Sequence, residues 1–137
     1  ALVNGHWHRD RIDVDVPLLK NTLQGGERVV VVDPRGKESL TRFSVRQRYS
    51  HYMLVEARLM TGRTHQIRVH AAHLDTPILG DDKYGDAEAN KQARSLGLKR
   101  LFLHAETLRF RWPDEKQDQH FKAPLEPELN KFLSALK

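Results

Sequence analysis

Two runs of alternating apolar and polar residues, separated by only three positions, constrain the fold of this chain most strongly. In the first run, Leu40–Arg48, the alternation places Leu40 and Arg48 on one face of a strand and Phe43 on the other. The second run, Tyr52–Leu59, alternates in the same way. Successive side chains of a strand point to opposite faces, so this alternation is typical of strands. Because the link at residues 49–51 is short, the two strands are predicted to pair as an antiparallel hairpin.

The rest of the chain mixes short strands with helices. Asn4 and Gly5 form a dipeptide that is typical of hairpin turns. No internal repeat, low-complexity segment or linker interrupts the 137 residues. The pattern predicts a single α+β domain with a mixed, mainly antiparallel sheet and flanking helices. Further strands are predicted at residues 1–3, 12–16, 28–32, 101–111 and 119–123, and helices at residues 64–74, 87–96 and 128–136.

The amino-acid composition excludes several kinds of functional site and favours one kind of partner. The chain has no cysteine, which excludes disulfides, thiolate nucleophiles and cysteine-ligated metal sites. No apolar run is long enough to span a bilayer, and no export leader is visible, so a cytoplasmic location is expected. The net charge is +5. A cluster of arginines in the middle of the chain favours a nucleic-acid partner: Arg42, Arg46, Arg48, Arg58, Arg63 and Arg68.

Residues 61–70, with the sequence TGRTHQIRVH, concentrate basic and polar side chains after an extended run. Gly62 indicates a turn, and Thr61 or Thr64 is predicted to cap the helix that follows. Arg68 lies four residues after Thr64, which places both on one helix face. A basic strand–turn–helix corner of this kind is suited to phosphate or carboxylate, although a solvated basic helix end fits the same pattern.

Other clusters in the chain carry weaker indications of chemistry. His65, His70 and His73 suggest a metal-dependent hydrolase, but no carboxylate completes the spacing of a helical zinc motif, so no metal is expected. The pair Asp81 and Asp82 suits acid–base work, yet adjacent aspartates beside glycine usually form turns and caps. Tyr84 is suited to stacking on a base, or alternatively to anchoring its own loop.

Several of these motifs together resemble one known family. The stretch 62–70 (GRTHQIRVH), followed by His73, by TPILGD at 76–81 and by YG at 84–85, resembles the RluA-type pseudouridine synthases. Further matches are RLFLHA at 100–105, FKAP at 121–124, ALVNG at 1–5 and PLLKN at 17–21. The resemblance extends over the whole chain and is greatest to the branch that modifies large-subunit ribosomal RNA.

The resemblance implies an activity and a set of site residues. Members of this family isomerise uridine in RNA to pseudouridine without a cofactor or metal: they break the N-glycosidic bond, turn the base and rejoin it through carbon. One aspartate performs the essential chemistry on a uridine flipped into the site. Arg68 is implied as the basic partner that keeps that aspartate ionised and oriented. Arg63, Thr64, His65 and Gln66 are implied as the wall of the pocket and RNA path, with Tyr84 beside them.

The chain departs from the family pattern in two respects. The family's base-stacking tyrosine normally lies just before an Ala-Leu-Val segment, and it is not seen in this chain. The His-Arg-Leu-Asp-type catalytic motif is absent, and HRDRID at 8–13 echoes it with the wrong spacing. The chain is therefore expected to be the C-terminal portion of a synthase catalytic domain, inactive alone, with no aspartate for Arg68 to orient. An exposed edge at residues 1–3 is expected to cause self-association or marginal stability.

Two alternatives remain open from the sequence. One is a non-catalytic RNA-binding module that uses the basic strands and the corner between Arg63 and Arg68. The other is a synthase that acts on transfer RNA rather than 23S ribosomal RNA, because site choice depends on RNA shape.

Overall fold

A computed structural model describes residues 1–110, 113–114 and 116–137 of the chain. Within that part the chain forms eight strands and three helices. In chain order they are β1 (Leu2–Asn4), β2 (Arg11–Asp15), β3 (Leu18–Thr22), β4 (Arg28–Val32), β5 (Leu40–Arg48), β6 (Tyr52–Leu59), α1 (Gln66–His73), α2 (Ala87–Ser95), β7 (Thr107–Phe110), β8 (Gln119–Lys122) and α3 (Pro127–Ser134). The fold is α+β with antiparallel sheets, as the sequence predicts.

The main sheet has four strands in the order β1-β6-β5-β2, and every neighbouring pair is antiparallel. Strands β5 and β6 have the predicted bounds, so the predicted hairpin is confirmed. The smaller pairs β3–β4 and β7–β8 are also antiparallel hairpins. No described helix is long and apolar enough to cross a membrane.

A β-bulge between Val45 and Gln47 changes one predicted face. An extra residue in one strand reverses the alternation beyond it. Arg48 therefore lies on the side of Met53, whose Sδ is 3.4 Å from its Nη1, and donates to the carbonyl of Trp7. The predicted placement of Arg48 on the face of Leu40 is wrong for this reason.

Both faces of the main sheet are covered by apolar side chains. Strand β1 shows the division: Leu2 packs with Phe102 and helix α3 on one face, while Val3 packs with Phe43 and Met53 on the other. Trp7 lies against Phe43 and donates its indole N–H to Thr76. Burial on both faces holds β1 in the interior.

Three local predictions differ from the structure. The dipeptide Asn4-Gly5 does not form a hairpin, because β1 pairs with β6 and not with the next strand along the chain. Strand β3 is absent from the prediction, since only Leu18 of its residues is buried and no alternation marks it. Of the predicted strand at 101–111, residues 101–106 are irregular and only Thr107–Phe110 is a strand, while position 111 lies outside the described residues.

The predicted free edge at residues 1–3 is also wrong. Leu2 and Val3 are fully buried. On one side β1 pairs with β6, and on the other Leu2 exchanges backbone hydrogen bonds with Leu79 and Phe102. Among the described residues, the edges of the main sheet without a neighbouring strand are β2 and the part of β6 beyond Val55, past the position where β1 begins.

Candidate functional site

The basic corner at residues 61–70 is built differently from the prediction. Helix α1 begins at Gln66, and its N-cap is His65 in the left-handed conformation, with φ 53° and no capping hydrogen bond from its side chain. Thr61 and Thr64 therefore do not cap the helix, and Thr64 lies outside it. A tight turn at His65 brings the chain from β6 into the helix and exposes Arg63 and Thr64.

Gln66 ties this corner to the main sheet. Its side chain is 2% exposed. The Oε1 atom accepts from the hydroxyl of Thr61 at 2.8 Å and from the backbone N–H of Arg63 at 2.9 Å. The Nε2 group donates to the carbonyl of Leu40 and to the hydroxyl of Thr41, both at 2.9 Å. All four hydrogen-bonding positions of the amide are used inside the protein, so Gln66 positions the corner.

The network continues through a buried histidine. The Nε2 of His70 lies 3.0 Å from the carbonyl of Val16, which can only accept, so this nitrogen carries the proton. The Nδ1 of His70 then accepts from the hydroxyl of Thr41 at 2.7 Å. The same hydroxyl oxygen accepts from Gln66. These hydrogen bonds hold helix α1 against strand β5, and they thereby fix the direction in which the side chain of Arg68, on the same helix, points.

Arg68 makes a two-point ion pair with Asp81. Its Nε lies 2.9 Å from Oδ2 and its Nη2 lies 2.7 Å from Oδ1. The Asp81 side chain has no exposed surface, whereas that of Arg68 is 20% exposed. The guanidinium also lies over the ring of Tyr84, 5.1 Å from its centroid. Asp81 is therefore the partner of Arg68 within this chain, and the expectation that the chain lacks a catalytic aspartate for Arg68 to orient stays a prediction.

Asp81 is held in its ionised form despite being buried. Burial alone would raise the pKa of its carboxyl group. Hydrogen bonds from Arg68 and from the backbone N–H groups of Tyr84 and Lys83, with the charge of Arg68, outweigh burial and lower the pKa overall. The same pairing raises the pKa of Arg68. Asp81 is thus both the turn residue that its sequence context indicates and a buried counter-ion.

His65 and Tyr84 form the second contact between the corner and the Asp81 loop. The Nδ1 of His65 lies 2.8 Å from the hydroxyl of Tyr84, which also accepts from the N–H of Val30 at 2.9 Å. Burial lowers the pKa of His65, and the positive charges of Arg68 and Lys83 lower it further. At neutral pH the imidazole of His65 is accordingly neutral, and its Nδ1 shares a hydrogen bond with the hydroxyl of Tyr84. The hydroxyl of Tyr84 therefore anchors its loop.

The structure thus divides the predicted site residues into two groups. Arg63 and Thr64 lie exposed on the rim, where Arg63 Nε donates to the carbonyl of Glu38. Gln66 is buried beneath them, while His65, Arg68 and Tyr84 form one connected, half-buried cluster. The cluster presents a fixed guanidinium and a neutral imidazole beside a basic rim, an arrangement suited to an anionic group. Among the described residues no three histidine or acidic side chains are placed to hold a metal ion.

Two residues essential to this geometry were not predicted as site residues. The sequence indicated Asp81 only as one member of the pair Asp81 and Asp82, although its position just after the apolar residues 78–79 is a signal of burial. Asn90 had no signal in the sequence, because its role depends on helix α2 folding back. Its Oδ1 accepts from the N–H of Gly80 at 2.8 Å and its Nδ2 donates to the carbonyl of Asp81 at 2.9 Å.

Burial of His70 predicts a loss of stability in mild acid. Burial lowers the pKa of His70 below its ordinary value of 6.5. The unfolded chain therefore binds the proton first, and the free energy of unfolding should fall as the pH drops from about 7 through 6.5 towards 5. Urea unfolding across this range measures the effect. His70→Gln should flatten the slope of stability against pH, whereas His8→Gln, an exposed change outside helix α1, should leave the slope unchanged. An unchanged slope in His70→Gln would contradict this assignment.

Comparisons with known proteins agree on one family. The profile of the RNA pseudouridylate synthase family matches residues 16–73. The ribosomal large subunit pseudouridine synthase C of Pasteurella multocida is 50% identical over 137 residues, and the proteins of the same name from Yersinia pestis and Escherichia coli are 49% and 46% identical. Each alignment covers the whole of this chain but only 42–44% of the relative.

Solved structures show the same fold. Human RNA pseudouridylate synthase domain containing 1 superposes with a TM-score of 0.77 at 27% identity, over 96% of this chain and 56% of the human one. Human RNA pseudouridylate synthase domain containing 4 superposes over all of this chain and 61% of its own, with a TM-score of 0.74 at 24% identity. The antiparallel α+β architecture is thus that of pseudouridine synthase domains.

Proposed function

We propose that this chain is a member of the RNA pseudouridylate synthase family, as its matches support, and that it forms the C-terminal portion of the catalytic domain of a synthase that converts uridine to pseudouridine in 23S ribosomal RNA. The names of its bacterial relatives support a large-subunit ribosomal substrate. The chain spans less than half of those relatives, which leaves room for a segment that carries the catalytic aspartate.

The observation that carries the proposal is the fixed guanidinium of Arg68. Its Nε and Nη2 are bound by Asp81, which leaves Nη1 without a partner among the residues that the structure describes. A guanidinium oriented in advance stabilises a carboxylate that approaches its open side. Arg68 would therefore keep the catalytic aspartate of the longer protein ionised and fix its orientation.

The other site residues have roles that follow from their positions. Arg63 and Thr64 lie on the rim and would contact the RNA backbone, since both are exposed. His65 would present its Nε2 to the RNA, because its Nδ1 is bound to the hydroxyl of Tyr84. Gln66 and Tyr84 would shape the wall from behind, since their polar groups are bound internally.

The isolated chain has further expected properties. It should not form pseudouridine, because the catalytic motif is absent from its sequence. The free edge of β6 beyond Val55 favours self-association, which sedimentation at rising protein concentration would reveal. A substrate in ribosomal RNA implies that the protein works in the cytoplasm, and the family resemblance implies that it needs no cofactor.

The test is pseudouridine formation on 23S ribosomal RNA by the full-length protein, with and without Arg68→Ala. Activity should fall by at least about 100-fold, as expected when a transition-state charge partner is removed, while RNA binding changes little. Arg68→Lys should recover only part of the activity, because lysine keeps the charge but not the two-point geometry. Circular dichroism at the assay temperature confirms that each variant is folded.

Arg42→Ala is the matched control, because Arg42 also makes a two-point pair, with the exposed Asp13. It should keep near wild-type activity. Full activity in Arg68→Ala would remove Arg68 from the mechanism. Inactivity of the wild type on ribosomal RNA would favour transfer RNA as substrate if transfer RNA is modified, and an RNA-binding module if it is not.

A further inference from the structure

A cavity of about 270 Å³ beside Arg68 has an excess of positive charge. It lies between the Asp81 loop, the end of helix α2 and the segment that follows that helix. We call it the basic pocket. Its charged lining consists of four cations and two carboxylates: Arg68, Arg94, Lys99, Arg100, Asp81 and Asp82.

Two of the four cations are already committed inside the protein. Arg68 is paired with Asp81. Arg100 donates to the carbonyls of Leu101 and Leu103 and forms an ion pair with Glu126. Each of these two cations is close to neutral together with its acidic partner, so the charge that is available to a ligand comes from Arg94 and Lys99.

The other two cations are available to a ligand. Arg94 has only one acidic neighbour among the described residues, Asp82, at 4.0 Å, and both side chains are largely exposed. Lys99 is exposed and has no charged or hydrogen-bonded partner within the described part of the chain. An ion pair at that distance between exposed groups contributes little, so a stronger anion can displace it.

Groups that would repel an anion are largely neutralised. The charge of Asp81 is matched by Arg68. The carbonyl end of helix α2 faces this region, and such ends disfavour anions. The carbonyls of Gln92, Ala93 and Arg94, however, already accept from the N–H groups at the end of the helix, namely those of Leu96, Gly97 and Leu98.

We propose that the basic pocket binds a phosphate of the RNA backbone, held by Arg94 and Lys99 close to the target nucleoside at Arg68. This inference rests on the proposed function, since it takes RNA as the ligand. Phosphate is the group that every nucleotide presents, and arginine and lysine are its usual protein partners. A phosphate held here would set the position of the RNA strand relative to Arg68.

The test measures the binding of this chain to a short, fluorescently labelled, single-stranded RNA that contains uridine. The double variant Arg94→Gln/Lys99→Gln should bind about tenfold more weakly at ~0.1 M salt. The slope of log K against log salt should also become shallower by about 0.7 for each phosphate that the variant no longer neutralises. Both changes are on exposed side chains, so the fold is retained.

The control Lys91→Gln/Lys131→Gln removes the same charge from exposed positions outside the basic pocket and should weaken binding less than twofold. Equal losses of affinity in both double variants, or no RNA binding by the wild type, would overturn the proposal. So would NMR shifts at Arg94 and Lys99 that saturate with inorganic phosphate but do not appear with RNA. Because this test reads binding alone, it can succeed even if the full-length protein forms no pseudouridine.

Discussion

Replacing Arg68 by alanine is expected to lower the free energy of unfolding by about 3–5 kcal/mol, one of the two largest effects predicted for this chain. The reason is the complete burial of its partner, Asp81. Removing the guanidinium leaves an ionised carboxylate without a cation in the interior. Urea unfolding at neutral pH measures the loss of stability.

A matched control separates burial from the ion pair itself. Arg42 makes the same two-point contact with Asp13, but the two side chains are 35% and 44% exposed. Arg42→Ala should therefore cost less than about 1 kcal/mol. In the Arg68→Ala background, Asp81→Asn should recover more than half of the lost free energy of unfolding. The asparagine carries no charge, and its amide oxygen can still accept from the backbone N–H groups of Lys83 and Tyr84. Equal destabilisation in the two arginine variants would show that Asp81 is not the cause.

Replacing Gly80 by alanine is expected to be comparably destabilising, by at least about 3 kcal/mol. Gly80 has φ +84°, which side-chain-bearing residues rarely adopt. An added Cβ would also lie 2.2 Å from the carbonyl oxygen of Arg100, so the backbone itself would have to move. Since Gly80 precedes Asp81, the shift should also weaken the ion pair with Arg68. Thermal unfolding of the purified chain measures the effect.

Gly97 provides the comparison for this prediction. It has φ +106° at the end of helix α2, but no atom lies within 4 Å of an added Cβ. Gly97→Ala should therefore show the conformational cost alone, about 1–2 kcal/mol. If the two alanine variants were equally stable, steric contact with the segment at Arg100 would have no part in the requirement for glycine at position 80.

The predictions that succeeded depend on signals carried by neighbouring residues. Strands β5 and β6 follow from period-two alternation, and the short link between them leaves the antiparallel hairpin as the natural arrangement. Helix α2 begins directly after Asp86, whose carboxylate caps it, and ends before Gly97. These features are local, so the residue types suffice to predict them.

The predictions that failed depend on partners far away in the chain. Asn4-Gly5 has the composition of a hairpin turn, but burial of Leu2 and Val3 between β6 and the segments at Leu79 and Phe102 decided the path of β1. The predicted cap of helix α1 was wrong for a similar reason: the hydroxyl of Thr61 accepts from the backbone N–H of Leu40 and donates to the side chain of Gln66, so it is not bound to a backbone N–H of the helix.

The sequence by itself determined the fold class and the β5–β6 hairpin, and the motif at residues 62–70 carries the resemblance to pseudouridine synthases. Only the tertiary structure decided how the site is held together. Asp81 reaches Arg68 across thirteen positions, and Gln66 reaches Leu40 across twenty-six. Such contacts form because helix α1 packs on strand β5 and buries polar groups that must then find partners. Periodicity along the chain indicates which residues are buried, but it does not indicate which of these residues contact each other.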